Sequence, residues 1–372
     1  MHRVPVVAIF VLIALLLGAG AAQAKPLSAA NRAYVDQVVK EEMEAGRLPG
    51  FSIEVSGPKG SYAQTYGVSS LATSKPMSLD DHVRIASITK TFTATAALLQ
   101  IEQGNLAFSD KLSQYIKGVP NGNRITIKEM IGMRSGLYDY TMDPQWDKEF
   151  EENPQMRFDY KGVVAILRRN QPEFEPGAKT SYADSNYYLL GEILEKVSGE
   201  SVAKLVTDEV IKPLGLKHTI YPTAAKMPSP FSNGYYAGPE GKGQIVDSTL
   251  VNPDAAGAAG AMVSTLGDLH KYVKQLTEGA LLSPKMQRAR LHFGVLSKSP
   301  QITVGYGLGI GRFGQWLGHN GGIFGFSTVA MYDPKNGTDI VAAANLASNF
   351  STPTLETFFK IAERLYPGSL KK

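Results

Sequence analysis

Serine and lysine separated by two residues occur four times in this sequence, as Ser56–Lys59, Ser87–Lys90, Ser201–Lys204 and Ser369–Lys372. On a helix that spacing puts both side chains on one face, where a lysine can exchange a proton with a serine hydroxyl and make it a nucleophile. The tetrad alone is too common to mean much. Ser56 falls in a turn and Ser369 in the tail, so neither sits on a helix. Ser201 opens a helix whose apolar positions are Val202, Leu205, Val206 and Val210, leaving Lys204 on the solvated face. A helix cap and a surface lysine account for that pair.

Ser87–Lys90 is set differently. The segment after it, Thr91–Ile101, carries no charge until Glu102, and a helix uncharged on every side is a buried one. Lys90 therefore lies where desolvation lowers an ammonium pKa and makes it a usable base. Ser87 falls at the helix N-terminus, where free N–H groups favour a developing oxyanion. The competing reading of the same residues is a helix cap beside a buried, ion-paired lysine.

Other chemistries have less support. The chain has no cysteine, which excludes a thiol nucleophile, a thiolate metal site and a disulfide. His2, His82, His218, His270, His292 and His319 are scattered without ligand spacing, so neither a metal nor another cofactor is expected. There is no G-x-S-x-G, H-E-x-x-H or P-loop. Gly309–Gly314 formally matches G-x-G-x-x-G, but inside a strand pattern with no helix behind it. Glycines where a backbone or substrate approaches the strand explain it better. The net charge is +4 and the basic pairs are Arg168-Arg169 and Lys371-Lys372, so nucleic acid is not suggested as a partner.

The elements that must position Ser87 come from both ends of the chain. Ser28–Ala45 reads as a helix with Tyr34, Val35, Val38, Val39 and Met43 as its apolar stripe, followed by strands at Phe51–Val55 and Tyr62–Val68. Near the other end, Ile302–Phe313, Phe324–Tyr332 and Asp339–Asn345 read as strands, the last two flanking the hairpin signal Asp333–Gly337. Leu355–Tyr366 closes as a helix. The middle is helical, at Thr89–Gln103, Ile127–Met133, Lys161–Arg169, Tyr187–Ser198 and Ser201–Ile211. The pattern predicts an α/β (α+β) unit, with an antiparallel sheet built from both chain ends, flanking helices and an inserted, mainly helical lobe. The sheet lobe would take about 25–79 with 255–372, the helical lobe about 80–254, with a cleft between them.

Residues 1–24 have the pattern of an export signal: Arg3, the apolar run Val4–Leu17, and Ala22-Gln23-Ala24 before Lys25. Cleavage after Ala24 would place the mature protein in the periplasm or the medium, without a stable membrane anchor. An uncleaved leader is the alternative, since Val4–Ala22 is uncharged.

Arg84-Ile85-Ala86-Ser87-Ile88-Thr89-Lys90 resembles the nucleophile motif of the serine β-lactamase-related hydrolases, in the branch of class C β-lactamases, D-alanyl-D-alanine carboxypeptidases and related esterases. Further blocks resemble the family in order: Ile125–Ile127 with Ser135–Leu137, Phe174–Gly177 leading to Tyr182–Tyr187, Gly260–Thr265, Tyr306–Gly309 and Gly318–Gly322. The resemblance implies the β-lactamase/DD-peptidase-like fold. It implies Ser87 as a nucleophile forming an acyl-enzyme, Lys90 as the group that helps deprotonate it, and Tyr182 as proton shuttle. The backbone N–H groups of Ser87 and Gly322 would form the oxyanion hole, with glycine at 322 letting the strand come close to the substrate. His319, Asn320 and Gly321 belong to the third motif, which implies His319 as a further catalytic residue and Asn320 and Gly321, with Asp184, as substrate-binding residues. Beside the Lys90 cation, Tyr182 would have a lowered pKa.

Two departures stand out. Asp184 occupies a position where Asn is usual, adding negative charge near Lys90 and holding that lysine's pKa up. His319 stands where strong β-lactamases carry Lys, with Asn320 in place of the usual hydroxyl. Arg312 is a candidate to bind a substrate carboxylate; a surface arginine is the plainer reading. The expected substrate is a small acyl compound: a D-alanyl peptide, a β-lactam or an ester. The expected activity is carboxypeptidase-like or β-lactamase-like amide hydrolysis. The alternatives are a carboxylesterase or a non-catalytic penicillin-binding or scaffold protein. The oligomeric state is not legible.

Overall fold

A computed structural model of the protein describes residues 25–238, 241–347 and 352–371; the leader expected over 1–24 lies outside them. Seven described helices are nine residues or longer: α1 (Ala29–Gly46), α2 (Thr89–Glu102), α3 (Pro144–Glu152), α4 (Tyr160–Arg169), α5 (Asp184–Ser198), α6 (Leu266–Glu278) and α7 (Pro353–Leu365). The main sheet has three strands from the N-terminal end, β1 (Gly50–Ser56), β2 (Tyr62–Ser70) and β3 (Lys75–Pro76). Six come from the C-terminal end: β4 (Gly294–Lys298), β5 (Thr303–Tyr306), β6 (Gly311–Phe313), β7 (Trp316–Ile323), β8 (Phe326–Asp333) and β9 (Thr338–Ala344).

These strands lie in the order β3-β2-β1-β9-β8-β7-β6-β5-β4, with antiparallel neighbours throughout. The two chain ends meet where β1 pairs β9, from Phe51 opposite Ala344 to Ser56 opposite Asp339. The Asp333–Gly337 signal does form the β8–β9 hairpin. Strands β8 and β9 are buried along their whole length, which an antiparallel pair tolerates only when helices cover both faces. Side-chain alternation divides the core accordingly. Val329, Met331, Ile340 and Ala342 pack with Val35 and Val39 of α1 and Phe358 and Ile361 of α7. Ala330, Tyr332, Val341 and Ala343 face the other way, toward α6 and the helical region.

Helix α2 runs through the middle of that region, with every residue buried except Leu99, Ile101 and Glu102. Gly309 shows how closely it is packed: at φ +75° its place would put a Cβ 2.0 Å from the Cβ of Ala94 on α2. Close approach, not phosphate binding, accounts for this part of the glycine pattern. Several elements depart from the sequence expectation: the strand expected over Ile302–Phe313 is broken into β5 and β6, and β4, β7 and α6 have no counterpart in it. The helix expected over Ser201–Ile211 is α-helical at Val202–Val206 and widens to a π turn at Thr207–Ile211. Helix α3 has no long apolar stripe to mark it; its signal is local, Asp143 as N-cap and Pro144 in the first turn.

Arg84 holds the wall of the helical region in place. It is 1% exposed, and its Nη2 donates to the carbonyls of Ala225 (3.0 Å), Thr249 (3.1 Å) and Val251 (2.9 Å). Burial brings its pKa down to about 10, so the guanidinium stays charged at neutral pH. Arg84→Ala leaves three carbonyls without their donor and opens a cavity. It should cost roughly 3 kcal/mol, measured by urea unfolding. An unchanged midpoint would show that the clamp is dispensable.

Candidate active site

The residues before α2 form a single 3-10 turn, Ala86–Ile88. Ala86 sits at φ 47°, a left-handed conformation costing a non-glycine residue roughly 1–2 kcal/mol. Surrounding bonds hold it there. Ile85 N–H donates to Met262 O at 2.9 Å, Thr328 Oγ1 donates to Ile85 O at 3.1 Å, and Met262 N–H donates to Thr89 Oγ1 at 3.1 Å. The turn presents Ser87 to a cavity while Lys90, one helical turn on, lies beneath it.

The Lys90 side chain is 0% exposed. Its Nζ donates to Ser87 Oγ at 2.9 Å, to Ala259 O at 2.8 Å and to Asp184 Oδ1 in a short ion pair. Three acceptors match the three N–H donors of an ammonium. The expected Ser–Lys contact is therefore present, and so is the ion pair of the competing reading. The helix-cap part of that reading is not, since Ser87 makes no cap and α2 begins at Thr89.

Asp184 is the first residue of α5, where the helix dipole favours a carboxylate. The Asp184 N–H donates to the carboxyl of Asp139, which also accepts from Thr141 N–H and Oγ1. Burial, and then the charge of Asp184, push the Asp139 carboxyl up to about 7. Tyr182 lies two residues before Asp184, with Lys90 Nζ 4.8 Å from its ring centroid. The expected lowering of its pKa is not what this arrangement produces. Burial, and then the Asp184 anion, hold the phenol well above its ordinary value, and Ser87 offsets this only in part. The lysine stands over the ring face, its charge already paired with Asp184. Tyr182 is a neutral phenol, and its buried Oη faces Ser87.

Strand β7 brings the third group. His319, opposite Ala330, faces the helical region; Asn320, opposite Val329, lies on the face toward α1 and α7. His319 Nδ1 donates to the carbonyl of Asn320, which fixes the tautomer, and Nε2 then accepts from Tyr306 Oη at 3.2 Å. Burial, and then the charge of Lys90, bring its pKa down to about 3, so the imidazole is neutral. The close approach assigned to Gly322 belongs to its neighbour. A Cβ at Gly321 would lie 2.5 Å from Ile85 O and 2.8 Å from Ala86 Cβ, whereas one at Gly322 would meet only Thr352 Cγ2 at 3.7 Å. Gly321 lets β7 lie against the serine turn; Gly322 is open to the cavity.

Two cavities meet at Ser87, Tyr182 and Gly322. The first, about 560 Å³, has aromatic walls from Tyr140, Trp146, Phe150, Tyr236 and Phe324, and its charged lining residues are Asp139, Asp147 and Asp184. The second, about 570 Å³, is lined by Thr180, Ser181, Tyr306, His319, Asn320 and Gly321 among others, with no lysine or arginine among them. Arg312 lies between Gly311 and Phe313, which line the second cavity, but its guanidinium is turned onto a ring. It pairs with Leu317 on the His319 face of the sheet, but its guanidinium lies 4.8 Å from the Phe293 ring centroid and lines neither cavity. The aromatic wall escapes sequence reasoning because its members come from segments nearly two hundred residues apart. Asp139 and Tyr306 adjoin or belong to recognised blocks, Ser135–Leu137 and Tyr306–Gly309, and could have been found there.

A His pKa lowered by burial has a definite pH signature. The unfolded chain takes up the proton first, so the stability from neutral His319 is complete above about 6.5 and is lost as pH falls toward about 3. The His319 imidazole should therefore show no NMR titration between about pH 8 and 5, where exposed histidines titrate. A midpoint near the ordinary value would contradict the buried, neutral ring.

Residues 35–358 match the Beta-lactamase family. Protein flp of Staphylococcus aureus strain MW2 is 26% identical over 335 residues, covering 88% of this chain and 65% of that protein. Penicillin-binding protein 4* of Bacillus subtilis is 23% identical over 317 residues, 81% of this chain and 69% of that protein. Among solved structures, a D-stereospecific amidohydrolase from Streptomyces sp. superposes with a TM-score of 0.77 at 29% identity, covering 89% of this chain and 98% of that one. A D-amino acid amidase from Ochrobactrum anthropi superposes equally well (0.77) at 22% identity, covering 90% and 98%, a likeness of fold. The family match runs from α1 into α7, across both halves of the sheet and the helices between them, and on that ground the chain belongs to the Beta-lactamase family.

Proposed function

We propose that the protein hydrolyses small amides through an acyl-enzyme on Ser87, and that it prefers an apolar or aromatic, amine-bearing acyl group and a leaving group without a carboxylate. The observation that carries this reading is the position of Ser87 between two unlike cavities. An acyl group attached to Ser87 Oγ would occupy the aromatic cavity, whose described lining has no lysine or arginine and includes Asp147 beside the Lys90-paired Asp184, so an ammonium is accommodated there better than an anion. The leaving group would occupy the second cavity. Its one basic side chain, His319, is held neutral, and the Arg312 guanidinium is turned onto the Phe293 ring. A free carboxylate there would be desolvated without a counter-charge, a cost that a primary amide avoids. D-alanyl-D-alanine peptides and β-lactams carry that carboxylate; a D-aminoacyl amide does not. The 29% identical D-stereospecific amidohydrolase supports the same substrate class.

In this mechanism Ser87 Oγ attacks the acyl carbon, and the backbone N–H groups of Ser87 and Gly322 take the oxyanion. Tyr182, being a protonated phenol, gives its proton to the departing nitrogen as the C–N bond breaks and recovers one through Lys90. Water then attacks the ester. The leader expected over residues 1–24 would place this chemistry outside the cytoplasm.

The purified protein should be compared on D-phenylalanine amide, a D-alanyl-D-alanine peptide, nitrocefin and a p-nitrophenyl ester. The amide should have the highest kcat/KM of the three amide-type substrates, by at least about tenfold. A peptidase or β-lactamase preference would overturn the leaving-group argument, and no turnover on any of the four would favour the non-catalytic reading. Separately, Ser87→Ala should abolish labelling by a fluorophosphonate, and Tyr182→Phe should lower kcat by about 10²–10⁴-fold with folding intact.

A further inference from the structure

Lys90 cannot accept the serine proton in the state the structure presents. All three of its N–H donors are engaged, on Ser87 Oγ, Ala259 O and Asp184 Oδ1, and an ammonium has no lone pair. One proton has to leave Lys90 before one can arrive from Ser87. The groups facing the pair are Asp139, Tyr140, Tyr182, Tyr187, Tyr306 and His319. The tyrosines are buried neutral phenols, which have a proton already. His319 accepts from Tyr306 and is kept neutral by burial and by Lys90 itself. The Ala259 carbonyl is not basic. Asp139 touches the backbone N–H of Asp184, not Lys90.

We propose that Asp184 is a proton store acting through Lys90, taking the proton that the lysine must shed so that its amine can deprotonate Ser87. This rests on the serine acyl-transfer reading above and goes beyond it in making Asp184 a part of the base. In the first step the Lys90–Asp184 ion pair collapses to a neutral amine and carboxylic acid. Protonation of Asp184 also relieves its repulsion with Asp139. The amine then takes the Ser87 hydroxyl proton while Oγ bonds to the acyl carbon. When Tyr182 protonates the leaving nitrogen, its phenolate takes a proton from Lys90 and Lys90 recovers one from Asp184. The serine proton has gone to the leaving group, and every side chain is as it began. With an amide in place of the carboxylate, Lys90 can lose its proton only to water, which an ammonium does in alkaline solution.

The rate at which a fluorophosphonate modifies Ser87 tests this without a known substrate: the Oγ–P bond forms, P–F breaks, fluoride leaves, and the serine proton passes to Lys90. The rate is measured on the wild-type chain, Asp184→Asn and Asp184→Glu from about pH 5 to 10, with thermal melts as the folding check. The wild type and Asp184→Glu should share a plateau at neutral pH. Asp184→Asn should be at least about tenfold slower there and recover toward pH 10. An Asn variant with the wild-type profile, or one slowed equally at every pH, would overturn the proposal, the second because it marks a merely positional role. If the Asn variant does not fold, the Glu variant decides: a retained neutral plateau supports the store and its loss refutes it. A wild-type chain that is never labelled at Ser87 would instead remove the acyl-transfer reading, and this inference with it.

Discussion

An ammonium with no exposed surface needs an acceptor for each of its protons, and the organisation around Ser87 follows from how Lys90 meets that need. Its three partners come from different parts of the chain: Ser87 from the turn before α2, Ala259 from the Gly257–Gly260 turn, and Asp184 from the start of α5. The lysine is a tie between segments before it is a reagent. Removing one partner from a buried, paired charge leaves the other uncompensated, a loss of several kcal/mol in typical cases. That cost ties the positions of α2, α5 and the intervening turn to one another.

Burial sets the protonation of the neighbouring groups, with the charge of Asp184 or Lys90 adding to it. Burial works against every ionised group in this region, and Lys90 with Asp184 already forms a neutral pair. The Tyr182 phenol keeps its proton, the His319 ring stays uncharged, and Asp139 is pushed toward neutrality. A lysine charge would draw Tyr182 toward the phenolate; burial first, and then the Asp184 anion, hold it the other way. The Asp184 carboxylate thus adds to burial in keeping the proton on Tyr182.

Cavity shape adds selectivity to this proton chemistry. Strand β7 lies against the serine turn because Gly321 has no side chain, and the next residue, Gly322, borders both cavities. On one side aromatic rings from α3, the segment before it, the Tyr235–Tyr236 strand and the β7–β8 turn enclose an apolar space. On the other, His319 is neutral and already bonded to Tyr306 and to the Asn320 carbonyl, so it brings no charge to the lining.

Much of this was legible in the residues. The two-ended sheet showed in short strand patterns with turn signals at both ends of the chain, and the burial of α2 showed in a run without charge, since few other arrangements suit such a helix. Ser87 and Lys90 could be paired because helical spacing is local. The errors have a common cause. Tyr182 was expected to have a lowered pKa because sequence brings a lysine to mind but cannot weigh it against desolvation and an aspartate. Arg312 was a candidate anion partner because strand alternation gives its face of the sheet but not the Phe293 ring it stacks on.

By itself the sequence determined the outer helices, the two-ended sheet, the buried α2 and the pairing of Ser87 with Lys90, because spacing and hydrophobic period act over a few residues. Only the tertiary structure decided the protonation states and the two cavities. Both depend on solvent exclusion and on distances between residues far apart in the chain, such as Lys90 and Asp184 or Trp146 and Phe324. No local pattern encodes those distances.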